Sequence, residues 1–321
     1  MEQSLGKKLF EDIKKEMSKN IIGNEELIKL LTIAILTEGH ILLEGVPGIG
    51  KTTIAKTYGQ LLNLEYKRIQ MTPDTMPSDI IGFKMYDKNI SKFRLVRGPI
   101  FSEILLVDEI NRAPPKTQSA LLEAMEEKTV TIDGDREELS DNFTVIATMN
   151  TVDDIGIYGL PNSQYDRFMF KINLEYLDEQ REIELLKSFS TNNFGKINNI
   201  INKYSLNNYK REVKNILVSD EIIEYIQKIG EISRNDKRLK FGISTRALLQ
   251  LLISSKGHAY LCGRNFVIPD DIIYLSKFVL PHRLKLNDSY EFRLNDFNEA
   301  EGFTSKEEII NEIINSIEVP K

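Results

Sequence analysis

Gly45-Val46-Pro47-Gly48-Ile49-Gly50-Lys51-Thr52 is the stretch on which the fold turns. It satisfies G-x-x-x-x-G-K-[ST] at every fixed position. Its glycines let backbone N–H groups turn inward without a Cβ clash, which makes a cradle for an anion. The apolar run Ile41-Leu42-Leu43 leads into it, and a helical stretch, Thr53–Leu62, leads out. That order aims the positive end of a helix at the same anion. Gly45, Pro47, Gly48, Ile49, Gly50, Lys51, Thr52 and Thr53 are therefore candidate phosphate-binding residues. Lys51 supplies a mobile cation for the β- and γ-phosphates of ATP, and Thr52 a hydroxyl for Mg²⁺. The bland alternative, a glycine-rich turn with an incidental lysine, does not account for the flanking strand and helix.

Some fifty residues on, Ile104-Leu105-Leu106-Val107 runs into Asp108-Glu109. Four apolar residues ending in two acids describe a buried strand that delivers carboxylates to the crevice at the C-terminal ends of a parallel sheet. Asp108 is the candidate metal residue with Thr52, and Glu109 the candidate for orienting and polarising water. A further apolar strand, Thr144–Thr148, precedes Asn150, a candidate sensor of the γ-phosphate. Taken alone, a strand-end acid pair is a solvated loop and a strand-end Asn a turn former. Their order after Lys51 is what gives them meaning.

His40–Glu44, Tyr66–Gln70, Ile104–Val107, Thr144–Thr148 and Phe168–Ile172 read as buried strands separated mostly by helical stretches. This predicts an α/β fold with a parallel five-stranded sheet sandwiched by helices. From about Leu174 the pattern is helical, as in Asp178–Phe189, Ser219–Ile232 and Thr245–Leu261. The expected division is a P-loop core over 1–174 and a smaller all-α lid over 175–321, the two sitting against each other. Two hairpin-like inserts are expected, at about 83–97 and about 129–140. A tail helix, Ser305–Ile317, is expected to pack on the lid.

The 321 residues are 41% apolar and 28% charged, with net charge −6, an ordinary globular balance without a general attraction for nucleic-acid phosphates. The single cysteine, Cys262, excludes an internal disulfide and is expected to be a small buried hydrophobe. His40, His258 and His282 stand apart in sequence, with no zinc-like spacing. No apolar run is long enough to span a membrane, and Met1–Asn20 lacks the apolar centre of a signal peptide, so the expected location is cytoplasmic.

Beyond these readings, the chain resembles the MoxR family of AAA+ ATPases. The resemblance is carried by Gly98-Pro99-Ile100-Phe101 and by Val107-Asp108-Glu109-Ile110-Asn111-Arg112-Ala113-Pro114-Pro115-Lys116-Thr117-Gln118, continuing through Ala120–Met125. It is carried also by Leu160-Pro161, Gln164 and Asp166-Arg167-Phe168, and by Gly242-Ile243-Ser244-Thr245-Arg246-Ala247 and Val279-Leu280-Pro281-His282-Arg283-Leu284 in the second half. It covers roughly Ile21 to Leu286. The chain departs from the family pattern at Thr151, at Gly23-Asn24 and at Asn162-Ser163, none of them a catalytic group.

The resemblance implies that Arg167 is an arginine finger reaching the ATP of a neighbouring subunit and that Arg246 is a second sensor on the lid. Without it, Arg167 would read as a surface charge paired with Asp166, and Arg246 as a helix-surface charge. Arg112 stays open between contacting nucleotide, contacting a neighbour and bracing the loop after Glu109. The inserts match the helix-2 insert and the hairpin before the first sensor. The resemblance further implies a homo-oligomer, a hexameric ring, that remodels or assembles a protein partner, such as a von Willebrand factor A (VWA) domain protein or a metalloenzyme under maturation. A DNA-associated motor is the alternative suggested by Lys84, Lys88, Lys92, Arg94 and Arg97 on the first insert; a nucleotide-gated scaffold, a small-molecule kinase and a GTPase fit the motifs less well.

Overall fold

The computed structural model describes residues 4–89, 91–150, 158–191, 195–288, 290 and 304–320. Thr151 and the middle of the first insert's turn lie outside them. In chain order the elements are α1 (Leu5–Met17), α2 (Glu25–Leu36), β1 (Ile41–Gly45), α3 (Lys51–Leu61), β2 (Tyr66–Gln70), α4 (Pro77–Ile81), β3 (Gly82–Asp87), β4 (Lys92–Arg97), β5 (Ile104–Asp108), α5 (Pro115–Glu127), β6 (Thr129–Ile132), β7 (Asp135–Glu138) and β8 (Thr144–Asn150). There follow α6 (Asn162–Tyr165), β9 (Phe170–Leu174), α7 (Glu179–Ser190), α8 (Lys203–Lys214), α9 (Asp220–Asn235), β10 (Leu239–Phe241), α10 (Thr245–Leu261), α11 (Pro269–Val279), β11 (Lys285–Leu286) and α12 (Lys306–Asn315). Two compact units emerge, one of Leu9–Leu160 with Ile172–Asn208, the other of Met1–Lys8, Pro161–Lys171 and Tyr209–Lys321.

The first unit is built on the five-stranded sheet, in the order β2-β5-β8-β1-β9. Every residue of β5 and β8 is buried, as both faces of a central parallel strand require. The expectation of burial fails at β2. It is an edge strand with no buried residue, so Arg68 and Gln70 reach solvent while Tyr66, Lys67 and Ile69 are half-covered. The last strand starts two residues later than the apolar pattern suggests, because the Phe168 carbonyl is engaged elsewhere, by His282 and Arg283.

Parallel register then decides the site. Gly45 lies opposite Asn150, Gln70 opposite Asp108 and Val107 opposite Ala147, so the C-terminal ends of four strands finish at the same edge of the sheet. Leaving β1, the chain crosses to the far edge at β2 and works back through β5 and β8, then continues on β1's other side at β9. The strand order thus reverses beside β1, where α/β sheets open a ligand crevice.

Both inserts are antiparallel hairpins, β3–β4 and β6–β7. They are joined: the Lys84 ammonium pairs with Asp135, Arg97 stands 3.9 Å from Glu137, and the Lys84 N–H donates to Asp133 Oδ2 at 3.2 Å. Phe83, Met85, Tyr86 and Phe93 of the first hairpin are exposed.

In the second unit, α9, α10 and α11 bury Ile226, Ile229, Leu251, Ile272 and Leu275. The tail helix forms as α12, capped by Ser305 and Glu308, and buries Ile309, Ile310, Ile313 and Ile314 while packing on α9 and α11. Cys262 does not take the buried place expected of it. It is exposed at the end of α10, with Sγ 3.7 Å from His258 Nε2, because α10 ends there and the chain turns toward Asn265. The His258 ring is held on its other side, with Nδ1 2.5 Å from Asp271 Oδ1.

Candidate functional site

A cavity of about 290 Å³ opens at the ends of β1, β5 and β8 and the start of α3. Its wall includes the loop from Pro47 to Thr53 together with Asp108, Glu109 and Asn150, so three separated sequence motifs meet in one space. Gly45 sits just behind it, at the end of β1, where a Cβ would come within 2.7 Å of the Leu174 carbonyl oxygen. Gly48 and Gly50 have φ of +84° and +92°, with nothing within 4 Å of where a Cβ would stand. They are glycines for conformation rather than for space, and the turn they allow leaves the cradle open.

Lys51 begins α3 and is only 7% exposed. Its ammonium folds back on the carbonyls of Gly45 at 2.5 Å, Val46 at 3.2 Å and Met149 at 3.3 Å, and on Asn150 Oδ1 at 2.8 Å. Asn150 in turn donates through Nδ2 to Glu109 Oε1 at 2.8 Å. A cation on one side and a carboxylate on the other allow the amide only one orientation. Asn150 is therefore a polarised link between the Lys51 ammonium and the Glu109 carboxylate.

Asp108 is 3% exposed and its oxygens are fully engaged. Oδ1 accepts from Thr52 Oγ1 at 3.0 Å and Thr148 Oγ1 at 3.2 Å, and Oδ2 from Arg68 Nε at 2.6 Å. A threonine hydroxyl beside a carboxylate oxygen, next to an open anion cradle, is a hard oxygen donor set of the kind Mg²⁺ takes. The residues present thus fit Mg·ATP. Burial, and secondarily the charge of Asp108, push the nearby Tyr66 phenol up to about 12.

Glu109 holds its backbone at φ +55°, a conformation uncommon for a residue with a side chain. Its N–H donates to Thr148 Oγ1 at 3.0 Å, and its Oε2 accepts from Gln70 Nε2 at 2.8 Å and Arg112 Nη1 at 3.0 Å. Arg112 thereby braces the Glu109 side chain. The Asp-Glu-Ile-Asn-Arg run also gains a structural meaning. Asn111, 3% exposed, donates to the Asn150 carbonyl at 3.3 Å, and Gln118, fully buried, donates to the carbonyls of Ile110, Ala113 and Tyr158. These amides staple the loop that presents Glu109.

Sequence reasoning missed Arg68, Gln70 and Thr148. Gln70 and Thr148 stand at strand ends, where polar residues in otherwise apolar runs were the available signal; Arg68 was hidden by the assumption that β2 is buried.

Arg167 and Arg246 belong to the second unit and are described there. Arg167 follows α6 in a turn closed by its N–H to the Gln164 carbonyl at 3.2 Å. Arg246, in the first turn of α10, places Nη1 3.4 Å from Asp166 Oδ2. The Asp166 carboxylate also accepts from Arg283 Nε at 2.9 Å.

Comparison with known proteins agrees with this architecture. Residues 40–170 match the model of the ATPase family associated with various cellular activities (AAA), and residues 231–313 match the AAA lid domain. The chain is 39% identical over 305 residues to the Bacillus subtilis protein YeaC, covering 95% of this chain and 92% of that one. It is 34% identical over 315 residues to the Mycobacterium tuberculosis protein named Chaperone MoxR1, covering 95% of this chain and 81% of the relative. A crystal structure of a candidate ATPase from Cytophaga hutchinsonii superposes with a TM-score of 0.89 at 36% identity, over 98% of this chain and 96% of that one.

Proposed function

Because the chain belongs to the MoxR family of AAA+ ATPases, we propose that it hydrolyses ATP in this cavity and uses the turnover to remodel or assemble a protein partner. The observation that carries the reading is the continuous link Lys51–Asn150–Glu109 beside the Thr52–Asp108 pair. It joins a phosphate-binding cation to a water-activating carboxylate through one amide.

In this reading the N–H groups of the Pro47–Thr53 loop cradle the phosphates, and Lys51 leaves its resting acceptors for the β- and γ-oxygens. Thr52 and Asp108 would hold Mg²⁺, which when bound offsets the negative charge of the phosphates. Glu109 aligns the attacking water and accepts its proton, while Asn150 reports the γ-phosphate to both partners. Arg167 acts as the finger reaching a neighbouring subunit's ATP, and Arg246 as the lid sensor. A finger in this role contributes roughly 10³–10⁵ in rate.

The assembly proposed is a hexameric ring, cytoplasmic, and the partner a VWA-domain protein or a metalloenzyme undergoing maturation. The relative named a chaperone supports the remodelling role. No helix among the described residues is long and apolar enough to cross a membrane. A DNA motor is disfavoured because Lys84 and Arg97 of the basic insert face Asp135 and Glu137 of its neighbour, which offsets their charge.

The test mixes Glu109→Gln protein, which should barely turn over alone, with Arg167→Ala protein, which should hydrolyse ATP slowly alone. If the site is shared between neighbours, mixed oligomers contain some interfaces with both groups intact, and phosphate release partly returns. Verified mixed oligomers that stay inactive count against a finger acting in trans.

A further inference from the structure

The turn that carries Arg167 is held from the second unit's own interior. Arg283 lies in the short 3-10 turn after α11, and its side chain is only 1% exposed. Its guanidinium donates on both sides of Arg167, and also to the Val279 carbonyl and Gln250 Oε1. Nε donates to Asp166 Oδ1 at 2.9 Å, and Nη2 to the carbonyls of Phe168 at 2.6 Å and Asp166 at 3.3 Å. Nη1 reaches the Met169 carbonyl at 3.4 Å. His282 adds its ring, with Nε2 3.1 Å from the same Phe168 oxygen.

A buried guanidinium is costly unless its five N–H groups all find acceptors. Burial lowers Arg283 to about 10, against the opposing pull of Asp166, so it is still a cation at neutral pH. Hydrophobic packing alone would be served by an apolar side chain here. What the arginine provides, and a hydrophobe cannot, is a fixed direction for the backbone at 166, 168 and 169. Arg167 sits between these anchored backbone positions and is half-buried like Asp166, while Phe168 is fully covered. The second Asp166 oxygen, Oδ2, faces Arg246, so the same carboxylate touches both the clamp and the lid arginine.

We propose that Arg283 and Asp166 are positioning residues for Arg167, fixing the aim of the finger through the turn on which it rides. The inference rests on the reading of Arg167 as a finger. Neither Arg283 nor Asp166 touches nucleotide in this scheme; they act through the angle at which Arg167 leaves the backbone. A displacement of about 1 Å in a catalytic group is worth on the order of 10²-fold in rate.

The experiment is a double-mutant cycle on steady-state ATP hydrolysis by the assembled protein. Arg283→Lys keeps the charge but loses the fork, and Asp166→Asn keeps the shape but loses the charge. Each should lower kcat by about 10²-fold with KM for ATP within about twofold. In an Arg167→Ala background, Arg283→Lys should change kcat by less than about twofold, and Asp166→Asn likewise once Arg246, its carboxylate's other partner, is also replaced by alanine, because the group they position is gone. Equal losses in both backgrounds, or loss of ATP binding along with kcat, overturn the proposal. Should Arg283→Lys fail to fold, Asp166→Asn, which alters no volume, carries the same cycle. If Arg167→Ala alone hydrolyses ATP like the unsubstituted protein, it is the finger assignment that falls, which separates the two failures.

Discussion

Glu109→Gln is the perturbation from which most can be worked out. The Glu109 carboxylate receives three donors, Asn150 Nδ2 at 2.8 Å, Gln70 Nε2 at 2.8 Å and Arg112 Nη1 at 3.0 Å. An amide offers one oxygen and one NH₂ group, so it cannot accept from both sides. Two donors, one of them a guanidinium, hold the Oε2 side, and the new oxygen is drawn there. The new NH₂ then faces Asn150, whose amide must turn over to present its oxygen. That rotation withdraws Asn150 Oδ1 from Lys51, an acceptor now 2.8 Å away. A hydrogen bond to a charged group contributes about 1.5–3 kcal/mol. The bond is lost in the nucleotide-free protein, where Lys51 rests on Asn150, more than in the complex, where Lys51 serves phosphate. The substitution should thus have two separable effects. Loss of the base lowers kcat by about 10²–10⁴-fold. Release of Lys51 tightens ATP binding by up to about tenfold, the equivalent of about 1.4 kcal/mol. Phosphate release measures the first, and titration with a fluorescent ATP in Mg²⁺ the second. Turnover within about tenfold of the unsubstituted protein would refute the role of Glu109. Weakened ATP binding would refute the amide rotation, as would tightening that persists in an Asn150→Ala background.

Two further outcomes follow from neighbouring contacts. Arg68 Nε occupies Asp108 Oδ2 at 2.6 Å from a half-exposed side chain, so Arg68→Ala should lower the Mg²⁺ concentration for half-maximal hydrolysis by a few-fold, the modest scale of a solvent-screened pair; a rise would show that Arg68 supports the metal site rather than competing with it. His40 is buried, accepts the Val145 N–H on Nδ1 at 3.0 Å, and therefore carries its proton on Nε2, 3.0 Å from the Met125 carbonyl. Burial first, with the charge of Lys128, lowers it from 6.5 to about 4 against the pull of that carbonyl. Its folded value lies below its unfolded one, so the contribution is complete above pH 6.5 and fades as pH falls toward 4, by about 3 kcal/mol. The difference in unfolding free energy between the protein and His40→Gln should shrink by that amount over the same range, and a difference independent of pH would contradict the assignment.

Much of this was legible in the residues because the physics is local. A glycine turn between an apolar strand and a helix is a property of one continuous segment, and β5 and β8, buried on both faces, spell themselves out as mainly apolar runs that end in polar residues. What could not be read depends on which strands become neighbours. Tyr66–Gln70 carries only Tyr66 and Ile69 as apolar residues, its place at the sheet's edge exposes Arg68, and only the pairing of Gln70 with Asp108 brings it to the site. The start of the last strand was misjudged for a similar reason. Phe168 is as apolar as a strand residue should be, yet its carbonyl serves Arg283, far along the chain. The Asp166 carboxylate meets Arg283 and Arg246, partners too far along the chain for any local pattern to announce. Cys262 is small and apolar, but the end of α10 leaves it outside.

The two protruding hairpins carry a mechanical implication. Lys84 with Asp135 and Arg97 with Glu137 bridge them in largely open water, where charges are screened over about 8 Å at physiological ionic strength. A pull on the first hairpin's exposed aromatic tip is therefore shared with the second, whose strand β6 continues directly from α5 and so from the loop bearing Glu109. Load applied at the surface and the carboxylate in the cavity are thus in line along one stretch of backbone, and added salt should loosen the coupling between the hairpins before it touches the catalytic groups.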